Sequence, residues 1–146
     1  MDKNDILRLI DEIFLPLGFK RKGNNWCFDC DELLKIVNLQ KSNYGNSFYI
    51  NYGYVIKGLP LTTTMHVQNR LAGRDKNEDK TIVDLLDLEI SLLPDLRLSL
   101  LKQILMEKVA SKMDRVNTTS DLINELKERP HLNDIPLVVK DHFQLL

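Results

Sequence analysis

The sequence predicts an α+β domain with an N-terminal helix, an antiparallel meander sheet of four to five strands, and a helical C-terminal half packed on one sheet face. Apolar residues recur at helical spacing up to residue 18, alternate from residue 19 onward, and return to helical spacing in the second half. The chain has 146 residues, of which 43% are hydrophobic, so it can bury its own core. We therefore expect one domain over residues 1–146, with helix and sheet in 1–74 and mainly helices in 75–146.

The first helix is predicted from apolar residues that recur at three- and four-residue steps between Ile6 and Leu17. Asp2 or Asn4 can begin it, because their side chains accept hydrogen bonds from the first free backbone N–H groups. Gly18 ends it, because glycine adopts the left-handed conformation that commonly follows a helix.

The sheet is predicted from segments with alternating polarity that are separated by turn-forming residues. These segments are residues 19–22, 26–30, 33–42, 47–57 and, less regularly, 62–70. Four residues rich in turn formers, 43–46, connect the two longest segments, so these two should form a hairpin.

The register of this hairpin follows if Ser42 lies opposite Ser47. One face then carries a mostly apolar set that should face the core, namely Leu33, Lys35, Val37, Leu39, Ile50, Tyr52, Tyr54 and Ile56. The other face is polar at one end, with Asn38, Gln40, Tyr49 and Asn51, and apolar at the other, with Leu34, Ile36 and Val55. A slip of one residue would exchange the two faces, so burial of the first set should hold the register.

In the second half, the charged residues 72–80 predict a solvated loop. Residues 81–84 have the spacing of a helix-capping motif, whereas residues 86–90 alternate like a strand; we favour helix, and the sequence leaves helix or strand open for 82–92. Pro94 suits a first helical turn. Further helices are predicted at 96–115, 121–129 and 136–143, and the last should dock Leu137, Val138 and Phe143 onto the body.

Composition disfavours several classes of protein. Lysine and arginine number 20 against 21 aspartates and glutamates, which argues against a protein built mainly to bind phosphates. The basic residues 20–22 lie near Trp26 and Phe28, but these aromatics have equal strand parity and should point into the core, so nucleic-acid binding is disfavoured. No apolar stretch is long enough to cross a membrane and the polar start does not resemble a secretory signal, so we expect a cytoplasmic protein.

Cys27 and Cys30 form a C-x-x-C motif that could indicate redox or zinc chemistry. The motif lies in a predicted strand, whereas redox motifs of this spacing need a helix N-terminus. No second cysteine pair or histidine pair supplies the remaining ligands of a zinc site. We therefore expect free thiols, no metal and no cofactor.

The polar end of the outer hairpin face is the predicted site. If the fifth strand lies beside the fourth, His66 and Arg70 join this face, because they are four residues apart and have equal parity. The candidate ligand-binding residues are Asn38, Gln40, Tyr49, Asn51, His66 and Arg70. An arginine, a histidine and several amides can form a pocket for an anion or a carbonyl group. His66 could act as a general base, but no serine or cysteine has the setting of a nucleophile, and no glycine-rich phosphate loop is present.

Three segments of the N-terminal half carry a family resemblance. They are LGFKRKG at residues 17–23 with Trp26, then VNLQKS at 37–42 followed by FYINYG at 48–53, and finally His66 with Arg70 and Leu71. Through these segments, about residues 5–75 resemble the bacterial family called domain of unknown function 4304. The family has no assigned activity, so the resemblance implies no role for any residue.

We therefore predict a non-catalytic protein-binding module with another protein as its partner. Small bacterial families of this size include immunity proteins, so a toxin-neutralising protein of the immunity type is the specific form that we expect. The alternative is an enzyme or a small-ligand-binding protein that uses the polar sheet face around His66 and Arg70. The sequence favours a protein without catalytic activity but leaves this question and the oligomeric state open.

Overall fold

A five-stranded antiparallel sheet lies at the centre of the structure, a computed structural model that describes residues 1–145. Each strand pairs with the next in chain order. The strands are β1 (Lys20–Lys22), β2 (Asn25–Asp29), β3 (Leu33–Lys41), β4 (Phe48–Ile56) and β5 (Val67–Arg70). The prediction of an antiparallel meander is confirmed, although β5 begins five residues later than expected.

Helices precede and follow the sheet, so the predicted α+β class is confirmed. They are α1 (Lys3–Phe14), α2 (Lys76–Leu85), α3 (Pro94–Leu105), α4 (Ser111–Asp114), α5 (Thr119–Lys127) and α6 (Leu137–Phe143). A π-helical turn, Met106–Ala110, joins α3 to α4 without a break. The last four helices match the helical segments predicted after Pro94, which itself occupies the first turn of α3.

Helix α1 begins at a reciprocal capping pair. The Asp2 carboxylate accepts a hydrogen bond from the Asn4 backbone N–H (2.9 Å), and the Asp5 carboxylate accepts one from the Asp2 N–H (2.8 Å). These contacts satisfy donors that have no partner within the helix. The apolar side of α1, which includes Ile6, Ile10 and Phe14, is buried.

The β3–β4 register is the predicted one along its whole length. Leu39 lies opposite Ile50 and Asn38 opposite Asn51. All eight residues of the predicted core face are buried, and the seven other than Lys35 share one cluster with apolar side chains of the helices. The opposite side of the sheet, which carries Asn38 and Asn51, is called the open face below.

The predicted loop over residues 72–80 is wrong for its second half, because α2 starts at Lys76. The Asp75 carboxylate accepts a hydrogen bond from the Glu78 backbone N–H (2.9 Å) and caps the helix at this point. Thr81 is therefore inside the helix, and its hydroxyl donates to the Asn77 carbonyl (3.1 Å) instead of capping.

Residues 86–90 form a turn, so the helix favoured there is wrong beyond residue 85. Asp87 forms an isolated antiparallel β-bridge with Ser47. The strand-like alternation of residues 86–90 therefore corresponds to one bridging residue and not to a strand. Arg97, only 2% exposed, holds the turn because its guanidinium donates to four carbonyl oxygens. These belong to Asp84, Leu85, Asp87 and Ile90.

Helix α6 docks mainly through Val139, which was not among the predicted docking residues, and Leu137 and Val138 were wrongly predicted to dock. Val139 is fully buried, whereas Leu137 is 62% exposed and Val138 is 37% exposed. Phe143 packs at the margin of the core, as expected. On a helix of seven residues the phase of the apolar side depends on where the preceding chain enters, and periodicity alone does not fix this.

Gly53 allows β5 to approach β4 closely. A Cβ atom at this position would lie 1.8 Å from the Val67 carbonyl oxygen and 3.0 Å from Met65 Sδ. No real Cβ tolerates the first distance, so any side chain at residue 53 would push the two strands apart.

We therefore expect Gly53→Ala to lower the free energy of unfolding by more than about 2 kcal/mol, because overpacking here meets backbone and not a mobile side chain. Urea unfolding followed by circular dichroism measures this. Gln68→Ala, at the exposed residue paired with Gly53, serves as the control and should change stability by less than about 0.5 kcal/mol. Equal effects of the two substitutions would contradict the close approach.

Candidate functional site

A row of polar side chains crosses the open face from one sheet edge to the other. Strand pairing aligns Lys22 with Asn25, Asn25 with Asn38, Asn38 with Asn51, and Asn51 with Arg70. We call these five residues the polar row. Directly paired residues point to the same side of an antiparallel sheet, so the registers of all five strands together build the row.

Hydrogen bonds link four members of the polar row into a chain. Arg70 Nε donates to Asn51 Oδ1 (3.1 Å), and Asn51 Nδ2 donates to Asn38 Oδ1 (3.1 Å). Asn38 Nδ2 then donates to Asn25 Oδ1 (2.9 Å). Asn51 is only 3% exposed, so these contacts satisfy an amide that would be costly to bury alone.

Gln40 and Tyr49 brace the arginine end of the row. Gln40 Oε1 accepts from Asn51 Nδ2 (2.9 Å) and from Arg70 Nη2 (3.1 Å). The Arg70 guanidinium carbon lies 4.0 Å from the centre of the Tyr49 ring, within the range of a cation–π contact. Five of the six predicted site residues are thus brought together here.

His66 is the sixth predicted residue, and the structure does not link it to the polar row. Its ring is 3% exposed, Nδ1 accepts from the Ile56 backbone N–H (2.8 Å), and Nε2 lies 2.8 Å from the Pro60 carbonyl oxygen. An accepting Nδ1 leaves Nε2 as the donor to Pro60. Nδ1 therefore fastens the loop before β5 to the end of β4, and Nε2 joins two parts of that loop.

Beside the row lies a groove of ≈ 740 Å³ whose lining includes all of the row except Arg70. Gln40 and the less polar Cys27, Ile36 and Met65 also line it. Lys22 and Asn25 were not among the predicted site residues. Extending the register from β3 to β2 would have found Asn25, because a short turn connects these two strands.

The basic segment at residues 20–22 does not form one surface. Lys20 and Lys22 belong to the open face, whereas Arg21 turns to the helix side, where its Nη1 pairs with the Asp11 carboxylate (2.8 Å). Trp26 is fully buried, as expected, and its indole N–H donates to the same carboxylate (2.8 Å). Trp26 therefore offers no ring for a nucleobase.

A second polar cavity, of ≈ 540 Å³, lies where the core face of β4 and β5 meets α4 and α5, and sequence reasoning missed it. Within residues 1–145, three buried atoms find no hydrogen-bond partner, namely Tyr54 Oη, Asn69 Nδ2 and Glu125 Oε2. Arg129 Nη2 donates to Asn69 Oδ1 (2.5 Å), and Nη1 pairs with Asp134 (3.1 Å). The sequence signal for this cavity was weak. It consisted of Glu125, which follows the apolar Leu122 by one helical turn and so lies on the same side of α5.

Burial governs the acid–base state of this cavity. It raises the pKa of Glu125, and nearby Arg129 and Lys112 offset this only in part. It also raises the pKa values of Tyr52 and Tyr54, to which the Glu125 charge adds. Both phenols therefore stay protonated near neutral pH.

Lys35 is a buried cation on the core face. Its Nζ donates to the Met113 carbonyl oxygen (2.6 Å) and to Asn117 Oδ1 (2.8 Å), and it lies 5.3 Å from the centre of the Phe28 ring. Burial lowers its pKa. The contacts fix the end of α4 to the sheet, which is a structural role.

The two cysteines and the metal-binding side chains of residues 1–145 are arranged as follows. Cys27 and Cys30 are free thiols, and no three side chains of the metal-binding types come together. None of the described helices has the length and apolar character needed to traverse a lipid bilayer.

We expect Asn51→Ala to lower the free energy of unfolding by about 1–3 kcal/mol. The reason is that Asn38, Gln40 and Arg70 would each lose the hydrogen bond that they make with the buried Asn51 side chain. Asn25→Ala is the matched control, since it removes the same side chain from the exposed end of the row and should cost less than about 0.5 kcal/mol. Urea titration of both variants checks this, and similar losses would show that the hydrogen bonds of the row do not act as one network.

We expect Glu125→Gln to raise the melting temperature at about pH 7 by ~2 °C or more. The pKa of Glu125 is higher in the folded state than in the unfolded state, where it is about 4.3. The free energy of unfolding therefore falls as the pH rises from the unfolded-state pKa to the folded-state pKa, and it stays lowered at higher pH. The gain should vanish below about pH 4, where Glu125 is protonated in both states.

The control for this pH dependence is Glu12→Gln, an exposed carboxylate on α1, away from the cavity. This substitution should leave the difference in melting temperature between about pH 7 and about pH 4 unchanged. A Glu125→Gln protein that melts like the parent at both pH values would show that the buried carboxyl carries no penalty.

Comparison with known families agrees with the resemblance seen in the sequence. A family model described as a domain of unknown function (DUF4304) matches residues 10–84, which is just over half of the chain and includes all five strands. No curated protein and no solved structure matched the chain. The match contains the complete polar row, so the open face lies within the segment that defines the family. The chain therefore belongs to the DUF4304 family.

Proposed function

We propose that this protein is a non-catalytic protein-binding module whose partner docks on the open face, at the polar row and the adjoining Tyr49. The observation that supports this best is the state of Arg70. Its side chain is exposed, yet it is already held by Tyr49, Asn51 and Gln40. Arginine and tyrosine are enriched among residues that dominate binding energy, and a side chain ordered in advance loses less entropy on binding.

The specific form that we propose is a cytoplasmic, bacterial protein of the immunity type, which binds a toxin and blocks it. A binding surface on a rigid sheet suits this role, because the surface needs little rearrangement when the partner arrives. Such a protein needs no catalytic group, and the histidine nearest to the open face is occupied with backbone contacts.

Small-ligand binding in the groove is the second candidate, and the observation that favours it is the groove volume of ≈ 740 Å³. This falls within the range of small-molecule sites. A ligand there would be held by the amides and Lys22 and not by His66. An enzyme at this place would need a proton-transfer group other than His66.

Capture experiments with the product of the adjacent gene test the main proposal. Purified wild-type protein should bind this product in a pull-down and in isothermal titration calorimetry. Tyr49→Ala should weaken the binding at least about tenfold, because it removes a central contact and the support of Arg70.

The matched control is Lys102→Ala, an exposed residue of α3 on the helix side of the sheet. It should bind like the wild type, and both variants should first be shown to melt like the parent protein. Binding that survives Tyr49→Ala but is lost in a helix-side variant would place the interface elsewhere. If the adjacent product does not bind at all but small metabolites raise the melting temperature, the second candidate replaces the first.

A further inference from the structure

The hydrogen bonds of the polar row all run in one direction, and this decides what the row can still offer. From Arg70 through Asn51 and Asn38 to Asn25, each side chain donates to the next. The amide oxygens of Asn25, Asn38, Asn51 and Gln40 consequently each accept at least one hydrogen bond from within the row or its brace.

The groups left free are mainly donors. Among the described residues, the amide nitrogens of Asn25 and Gln40 donate to no protein group, and Asn38 has used one of its two amide hydrogens. Arg70 has used two of its five N–H groups. The exposed ammonium of Lys22 adds further donors at the other end of the row.

The open face also carries a net positive charge, which favours the same kind of ligand as the free donors do. Among its described strand residues the cations are Lys20, Lys22 and Arg70, and the single acidic residue is Asp29. Asp29 is neutralised, because Lys57 Nζ lies 2.5 Å from its carboxylate. No acidic side chain lines the groove. The face therefore suits a ligand that brings acceptors and negative charge.

Nucleic acid could supply these groups, but the face lacks a place for its bases. Tyr49 is the one aromatic residue among the described strand residues of this face, and the Arg70 guanidinium already covers its ring at 4.0 Å. Single-stranded nucleic acids are usually held by free aromatic rings together with a longer basic groove. Carboxylates of a protein fit three cations and a row of amides better.

We propose that the polar row binds an acidic segment of a partner protein, with carboxylates placed against Lys22 and Arg70 and backbone or side-chain carbonyls accepting from the amides between them. This inference rests on the proposed function and adds the chemistry of the partner. Arginine and carboxylate form two parallel hydrogen bonds in favourable geometry, which gives the contact specificity as well as attraction.

The row also sets a spacing for the carboxylates. Lys22 and Arg70 are separated by four strand intervals, and at ~4.8 Å for each interval this is about 19 Å. An extended segment advances ~3.3 Å per residue, so two acidic residues about six positions apart reach both cations at once.

The test uses fluorescein-labelled ten-residue peptides of serine and glycine. One peptide carries two glutamates six positions apart, the second carries glutamines there, and the third carries two adjacent glutamates. A single-stranded RNA of ten nucleotides is the fourth probe. Anisotropy gives the affinities, and nuclear magnetic resonance follows the side-chain NH₂ signals of Asn25, Asn38 and Gln40. We expect the spaced-glutamate peptide to bind at least fivefold more tightly than the glutamine peptide and to shift these signals.

The double variant Lys22→Gln/Arg70→Gln should abolish this preference. The control Lys102→Gln/Lys140→Gln removes two charges from the helices and should keep it. Equal binding of the glutamate and glutamine peptides at the open face would overturn the acidic partner while leaving protein binding intact. Tighter binding of RNA would overturn it in favour of nucleic acid. If no peptide shifts the amide signals, the acidic-segment proposal fails, whatever the capture experiment shows.

Discussion

Strands β3 and β4 pair so that Leu39 lies opposite Ile50 and Asn38 lies opposite Asn51, and the chemistry of both sheet faces depends on this register. A shift of one residue would bury the amides and expose the aliphatic side chains. Because β2 and β5 are paired to the same two strands, their polar residues are aligned as well. Burial of the core therefore also assembles the polar row, although no member of the row belongs to the apolar cluster.

The parts of the fold that could be predicted are those determined by local pattern. Alternation from residue 19 onward sufficed for the first four strands and for the hairpin register, and parity put Arg70 on the face where the structure pairs it with Asn51. The start of α2 was missed because the Asp75 cap competes with a similar motif at Thr81. The turn after α2 depends on Arg97, ten or more residues from three of the carbonyls that it binds. No local pattern contains such a contact.

The two polar sites of the protein differ in how well their groups are paired. In the polar row every amide oxygen accepts a hydrogen bond, so the row is ordered before any ligand arrives. In the cavity beside α5, by contrast, Asn69 and Glu125 each keep a buried side-chain atom unpaired, and so does Tyr54 near Glu125. Such atoms each cost about 1–3 kcal/mol, which the surrounding apolar core must offset. Equal parity on strands reveals the first kind of site, whereas the second arises only where distant elements meet.

Lys35 has a consequence for how the family should be divided into physical units. Lys35 lies within the segment that the family model matches. The two oxygens that accept hydrogen bonds from its ammonium group lie beyond that segment, at Met113 and Asn117. A fragment that contains only the matched residues would leave the Lys35 ammonium without its acceptors and would expose the core face of the sheet to solvent. Recombinant fragments should therefore include the helices that follow the match, up to α6. In this protein the contacts of one buried lysine cross the limit of family similarity.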